Sequence, residues 1–176
     1  VAAVAAHDAV AAYLSDNTPL QLKWPNDLLI GPAKVGGILV ESSKYDDDIV
    51  VMIGIGVNIS VLPEVGGRDV TKLDLHGRAP SPSELVQRLA DTMDTWLATW
   101  ANGVGFDAIR TAWLERAHPL GQSLTVNTIK HQLAGRFAGL ADNGALLLTT
   151  ESGEIVRVEH GDVALAATLP VLETRA

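Results

Sequence analysis

Apolar positions dominate the start of the chain. Val1, Val4, Ala5, Val10, Ala11 and Leu14 fall at helical spacing and predict a largely buried helix. The run Ser15-Asp16-Asn17-Thr18-Pro19 is rich in turn formers and ends it. Leu20 to Trp24 alternates like a strand, and Pro25 closes it. Val35 to Ser42 and Ile49 to Val57 are apolar runs separated by the polar turn Ser43 to Asp48, which predicts two adjacent strands. Ser60 to Pro82 lacks periodicity and reads as a long loop. Ser81, Pro82 and Glu84 form a helix start with a capping box, and Leu85, Leu89, Met93, Trp96 and Trp100 make the packing stripe that follows. A further helix is expected over Phe106 to Ala117, closed by Pro119-Leu120-Gly121. Beyond Gly121 the pattern changes to short alternating runs, Ser123–Asn127, Gln132–Leu140, Ala145–Thr150 and Ile155–Glu159. Asn143-Gly144 and Ser152-Gly153 mark the turns. This pattern predicts a small barrel and a domain boundary near Gly121.

Composition narrows the classes open to the chain. The 176 residues carry 13 Lys and Arg against 21 Asp and Glu, a net charge of -8, which argues against nucleic-acid binding by this part of the protein. Cysteine is absent, which removes disulfides, zinc-thiolate sites and a cysteine nucleophile and fits a cytoplasmic protein. No apolar run reaches the ~18 residues of a membrane span, and His7 and Asp8 interrupt the apolar N-terminal stretch. The helical pattern is already under way at Val1, so the natural N-terminus is expected to lie upstream.

Common catalytic motifs do not fit. Gly54-Ile55-Gly56 begins like a dinucleotide fingerprint, but Ile59 occupies the third glycine position. There is no Walker A sequence and no Gly-x-Ser-x-Gly elbow. His7, His76, His118, His131 and His160 lack metal-ligand spacing and read as surface or satisfied histidines. The triplet Asp46-Asp47-Asp48 reads as a solvated turn. Chemistry-bearing residues concentrate between Leu22 and Asn58. Asn26 and Asp27 after Pro25 are turn formers or pocket residues. Lys34 is an edge-strand lysine or a fixed cation beside Gly36 and Gly37, where backbone can approach a ligand. Gly54 and Gly56 weaken an apolar strand by about 0.5–1 kcal/mol each, and close approach of a ligand is the simplest compensation.

Leu22-Lys23-Trp24-Pro25-Asn26-Asp27-Leu28, then Lys34-Val35-Gly36-Gly37-Ile38-Leu39-Val40-Glu41, then Ile53-Gly54-Ile55-Gly56-Val57-Asn58 resemble the biotin protein ligase family. Asp69-Val70-Thr71-Lys72-Leu73 and Gly135 to Leu148 extend the resemblance. It implies an α/β (α+β) fold. A mixed sheet flanked by helices, like that of class II aminoacyl-tRNA synthetases, would occupy residues 1–120, and an SH3-like barrel residues 121–176. It implies ATP-dependent biotinylation through biotinyl-adenylate, with biotin and ATP as substrates, Mg2+, a biotin carboxyl-carrier domain as partner, and room for a homodimer. Lys34 would be the catalytic cation. Gly36, Gly37, Asn26, Asp27, Gly54, Gly56 and Asn58 would bind substrate, with Asn58 on the nucleotide. A lipoate or octanoyl ligase and a non-catalytic homologue are the rival readings. The family's Gly-Arg-Gly-Arg loop has no counterpart in these residues, so the chain alone is expected to bind biotin poorly.

Overall fold

The chain divides into two compact units, Val1–His118 and Pro119–Ala176. The computed structural model describes residues 1–64, 69–128 and 131–165, so residues 65–68 of the long loop, 129–130 and the final 166–176 lie outside the described residues.

In the first unit, helix α1 (Ala2–Ala11) is alanine and valine apart from His7 and Asp8, and the small side chains let its neighbours approach closely. It packs against α2 (Pro82–Trp100), α3 (Phe106–Arg116) and strand β1 (Leu20–Lys23). One carboxylate joins the three helices. Asp8 on α1 accepts from Arg116 Nε at 2.8 Å on α3 and from Trp96 Nε1 at 2.9 Å on α2. Helix α2 starts with the capping box read from the sequence, Ser81 and Glu84 each bonding the other's backbone N–H. Its expected stripe faces the packed side, but only Leu85 is fully buried.

Four strands form an antiparallel sheet in the order β1-β2-β3-β4, with β2 at Asp27–Ile30, β3 at Ala33–Tyr45 and β4 at Asp48–Val57. A mixed sheet is expected from the sequence; among the described residues parallel pairing is confined to the isolated bridges Leu22↔Ala117 and Lys34↔Val70. Strand β2 is absent from the sequence reading, because Leu28-Leu29-Ile30 is short and hidden between a turn and Gly31-Pro32. Its residues are nonetheless buried.

The register of β2 on β3 shifts between Leu28 and Leu29: Leu29 opposes Lys34 and Leu28 opposes Gly36, so Val35 is an extra residue. Side chains alternate faces along a strand, and this bulge changes which face Lys34 occupies. Residues paired across the ladder share a face. Lys23, Asp27, Lys34, Gly37, Gly54 and Gly56 therefore all stand on one face. Lys34 and Gly37 are three positions apart, which strict alternation would place on opposite faces; the bulge at Val35 brings them to the same one.

Beyond Ile38, β3 and β4 run on as a two-stranded ribbon. Its apolar side chains are exposed rather than buried, with Leu39 at 60% and Ile49 at 74%.

The second unit is a five-stranded antiparallel sheet in the order β8-β7-β6-β5-β9. Its strands are β5 (Ser123–Asn127), β6 (Gln132–Leu140), β7 (Leu146–Thr149), β8 (Ile155–Val158) and β9 (Asp162–Leu165). Val126, Phe137, Leu146, Leu148, Val158 and Val163 form its core. Gly144 takes φ 84° in the β6–β7 turn, as the Asn-Gly signal requires. The expected barrel is not closed: β8 and β9 are the two sheet edges, and no pairing joins them among the described residues. No helix among the described residues is long and apolar enough to cross a membrane.

Candidate active site

The centre of the site is Asp27, at the first position of β2 and buried. Lys23, opposite it on β1, places Nζ 2.9 Å from Oδ2, and Lys34 on β3 bonds Oδ1. Burial alone would push the Asp27 carboxyl up. Hydrogen bonds from Lys34 and Lys23, with their charges, outweigh it and hold the group below the usual carboxylate range. The Asp27 carboxylate thus stays charged at neutral pH. Lys34 retains contact with solvent, its side chain 31% exposed.

An open groove of ≈ 400 Å³ runs along this face, lined by Asn26, Lys34, Gly37, Leu39, Gly54 and Gly56 among others. The four glycines do different things. A Cβ on Gly36 would lie 2.7 Å from the Gly56 carbonyl oxygen, so Gly36 sets the approach of β3 to β4. A Cβ on Gly37 would lie 2.9 Å from Lys34 Nζ and 3.0 Å from its Cε, so Gly37 is the seat over which the lysine folds. A Cβ on Gly54 or Gly56 would find its nearest atom at 3.8 and 4.0 Å, so these two keep the groove floor low.

Asn26 lines the groove, but its Nδ2 donates to Ile38 O at 2.6 Å and its own carbonyl accepts from Ile38 N at 2.8 Å. It fastens the β1–β2 turn to β3. Asn58 is placed differently from the other expected site residues. Its Nδ2 donates to the carbonyls of Thr71 at 2.9 Å and Lys34 at 3.4 Å, which fastens the segment after residue 69 to the strand that carries the lysine. Lys34 N to Asp69 O and Thr71 N to Lys34 O, both 2.9 Å, complete that strap. The buried Thr71 hydroxyl pairs with His76 Nε2 at 2.6 Å.

Three residues with no individual role in the sequence reading therefore belong to the site's frame: Lys23, Thr71 and His76. Lys23 and Thr71 lie in segments that carry the resemblance, and Lys23 also stands four residues before Asp27. His118 departs from the satisfied histidine expected of it, since its Nε2 is buried with no hydrogen-bond partner. Burial, and then the charge of Lys23, lower its pKa, so it stays neutral. Among the described residues no three His, Asp or Glu side chains converge as a metal cage.

Residues 2–59 match the Biotin/lipoate A/B protein ligase family and residues 120–165 the Biotin protein ligase C terminal domain. The class defined by this fold and this lysine-bearing face is thus a biotin/lipoate-type protein ligase. Within that class the chain is 37% identical over 163 residues to the biotin–acetyl-CoA-carboxylase ligase of Paracoccus denitrificans, covering 89% of this chain and 68% of that protein. It is 28% identical over 150 residues to a bifunctional ligase/repressor of Bacillus subtilis, covering 82% of this chain and 46% of the relative. A biotin protein ligase variant from Aquifex aeolicus, solved in complex with biotin, superposes with a TM-score of 0.76 at 25% identity, over 94% of this chain and 69% of that one. The chain belongs to the biotin protein ligase family.

Proposed function

We propose that this chain is part of a ligase that joins biotin to a lysine of a biotin carboxyl-carrier domain. In the first step a biotin carboxylate oxygen attacks the α-phosphorus of ATP. The bond to the β-phosphate oxygen breaks, pyrophosphate leaves, and biotinyl-adenylate remains. In the second step the carrier lysine amine attacks the acyl carbon, the bond to AMP breaks, and the amine gives up a proton. Residues 1–120 would belong to a catalytic domain related to class II aminoacyl-tRNA synthetases, and residues 121–176 to an SH3-like appendage.

The observation that carries this reading is Lys34: a partly exposed ammonium at the edge of an open groove, oriented by a buried carboxylate. The first step brings two anions together, so a fixed cation between them lowers the barrier. One such contact at about 4 Å is worth on the order of 4 kcal/mol at an effective dielectric near 20. In this reading Gly54 and Gly56 admit the substrate, Gly37 seats the lysine and Gly36 holds the two strands together. Asp27 and Asn26 order the pocket around them. Asn58, whose amide nitrogen is engaged with backbone, would meet the nucleotide through its oxygen. Mg2+ would arrive with the ATP phosphates and keep most of its water, as this ion usually does. Asp27 is already shared by two lysines, so no step here relies on a protein-held metal. The names of the Paracoccus and Aquifex relatives support biotin as the acid.

The test is pyrophosphate release by the full-length protein with biotin and ATP, followed by mass spectrometry of a carboxyl-carrier peptide. Biotin-dependent release and a biotinylated lysine are expected. Release with lipoate or octanoate but not biotin would move the protein to the other branch of its class. No release with any of these acids would leave a binding protein.

A further inference from the structure

We infer that Lys23 is a positioning residue for Lys34: it remains on Asp27 as counter-ion and so lets Lys34 exchange Asp27 for an anionic substrate. This deepens the proposed function and rests on its reading of Lys34.

The strand order places the carboxylate between the two lysines, with Lys23 on β1, Asp27 on β2 and Lys34 on β3. Each lysine uses its own oxygen, Lys23 on Oδ2 at 2.9 Å and Lys34 on Oδ1, so one can leave without displacing the other. Their access differs. The Lys23 side chain is 11% exposed against 31% for Lys34, and of the two only Lys34 lines the groove.

A buried carboxylate left without a counter-ion is strongly unfavourable. Were Lys34 its only partner, drawing the lysine toward a substrate would strand Asp27, and Asp27 would hold the lysine back. With Lys23 present the trio has two positive charges and one negative. Lys23 therefore keeps Asp27 paired when the ammonium at the groove leaves it. His118, which burial and then the charge of Lys23 hold neutral, adds no competing charge.

The experiment compares wild type, Lys23→Met and Lys23→Arg in the full-length protein by biotin- and ATP-dependent pyrophosphate release and by thermal melting. Lys23→Met should lower kcat/KM by about tenfold or more, about 1.4 kcal/mol in barrier, and Lys23→Arg should restore it to within about threefold of wild type. A purely structural role would lower the melting temperature and leave kcat/KM per folded molecule unchanged, and that result overturns the inference. Should Lys23→Met not fold, a crystal structure of wild type with biotin and ATP decides. Lys34 should have moved from Asp27 to a ligand oxygen with Lys23 still paired to Asp27. Lys34 still on Asp27, or Lys23 displaced from it, overturns the inference. A wild-type protein that releases no pyrophosphate in the presence of biotin overturns the proposed function instead, and this inference with it.

Discussion

Replacing Gly37 by alanine should unseat Lys34 while leaving the sheet intact. The added Cβ would stand 2.9 Å from Lys34 Nζ and 3.0 Å from Cε. Comfortable contacts of this kind begin at about 3.5 Å, so the ammonium must retreat by roughly half an ångström or more. It is the far end of a flexible side chain and can do so, but its bond to Asp27 Oδ1 is then lengthened or lost. A charge-assisted hydrogen bond contributes about 1.5–3 kcal/mol. Lys23 keeps Asp27 compensated, and alanine is better than glycine in a strand by about 0.5–1 kcal/mol. The net cost in stability should therefore be about 0.5–2.5 kcal/mol with the bond lost, and less with it only lengthened. Activity per folded molecule should fall as well, because a misplacement near 1 Å costs about a hundredfold in a positioned reaction. We expect pyrophosphate release to fall between about ten- and a hundredfold. The neighbours supply the controls. Gly36→Ala drives a Cβ to 2.7 Å from a backbone carbonyl and should destabilise the first unit by about 1–3 kcal/mol in urea. Gly56→Ala, with nothing nearer than 4.0 Å, should keep full stability and weaken only substrate affinity. The reasoning fails if Gly37→Ala retains kcat/KM within about twofold, or if Gly56→Ala unfolds more readily than Gly36→Ala.

Lys34→Ala should reduce adenylate formation by orders of magnitude in the same assay, and near-normal release would remove Lys34 from the central role. Asp8→Ala leaves Arg116 and Trp96 Nε1 without their acceptor and should cost about 2 kcal/mol by urea denaturation, with groove affinity unchanged. A loss within error would show that the junction of the three helices does not depend on that carboxylate. The pH dependence of stability should have two stages. Burial lowers the pKa of both His7 and His118, so the unfolded chain takes up protons first, and stability present above about pH 6.5 declines as pH falls below it. For Asp8 and Asp27 burial pushes the other way, but their hydrogen bonds outweigh it and depress both carboxyls. Their contribution is complete above about pH 4 and is lost only as pH falls through the folded values. His118→Gln should shrink the upper stage and spare the lower one, and a flat melting profile from about pH 8 to 5 would refute the assignment.

Where local chemistry decides an element, the sequence was readable. The Ser81 capping box and the limits of β5 and β6 follow from cap residues, Asn-Gly turns and strict alternation. Strand β2 was not, because three apolar residues after a turn carry no period of their own and are strand only through pairing on both sides. Strand β9 has equally little periodicity. The apolar runs of β3 and β4 read as adjacent strands, but what covers a strand is not written in the strand itself, and much of this pair is exposed. At the site, residue types and order marked Lys34 and its glycines as a group. They did not divide the labour among them, since whether a glycine seats a side chain, spaces two strands or opens a groove depends on atoms of other strands. Lys23 was legible only as a neighbour four residues before Asp27, since their contact is made across a hairpin, and Asn58 was marked as a site residue but not as the amide that fastens a loop carbonyl.

The extra residue at Val35 makes the site sensitive to chain length as well as to chemistry. Strand positions have a parity, odd or even, and one added residue exchanges the two sets for everything on one side of it. A single-codon deletion at Val35 would leave every chemical group of the site in place. The shortened strand would pair Lys34, Gly36 and Gly37 one to one with Leu29, Leu28 and Asp27, so Lys34 and Gly37 would keep a common face. One further residue inserted between Lys34 and Gly37 would instead exceed what a single-residue bulge absorbs and turn Lys34 to the face opposite Gly37.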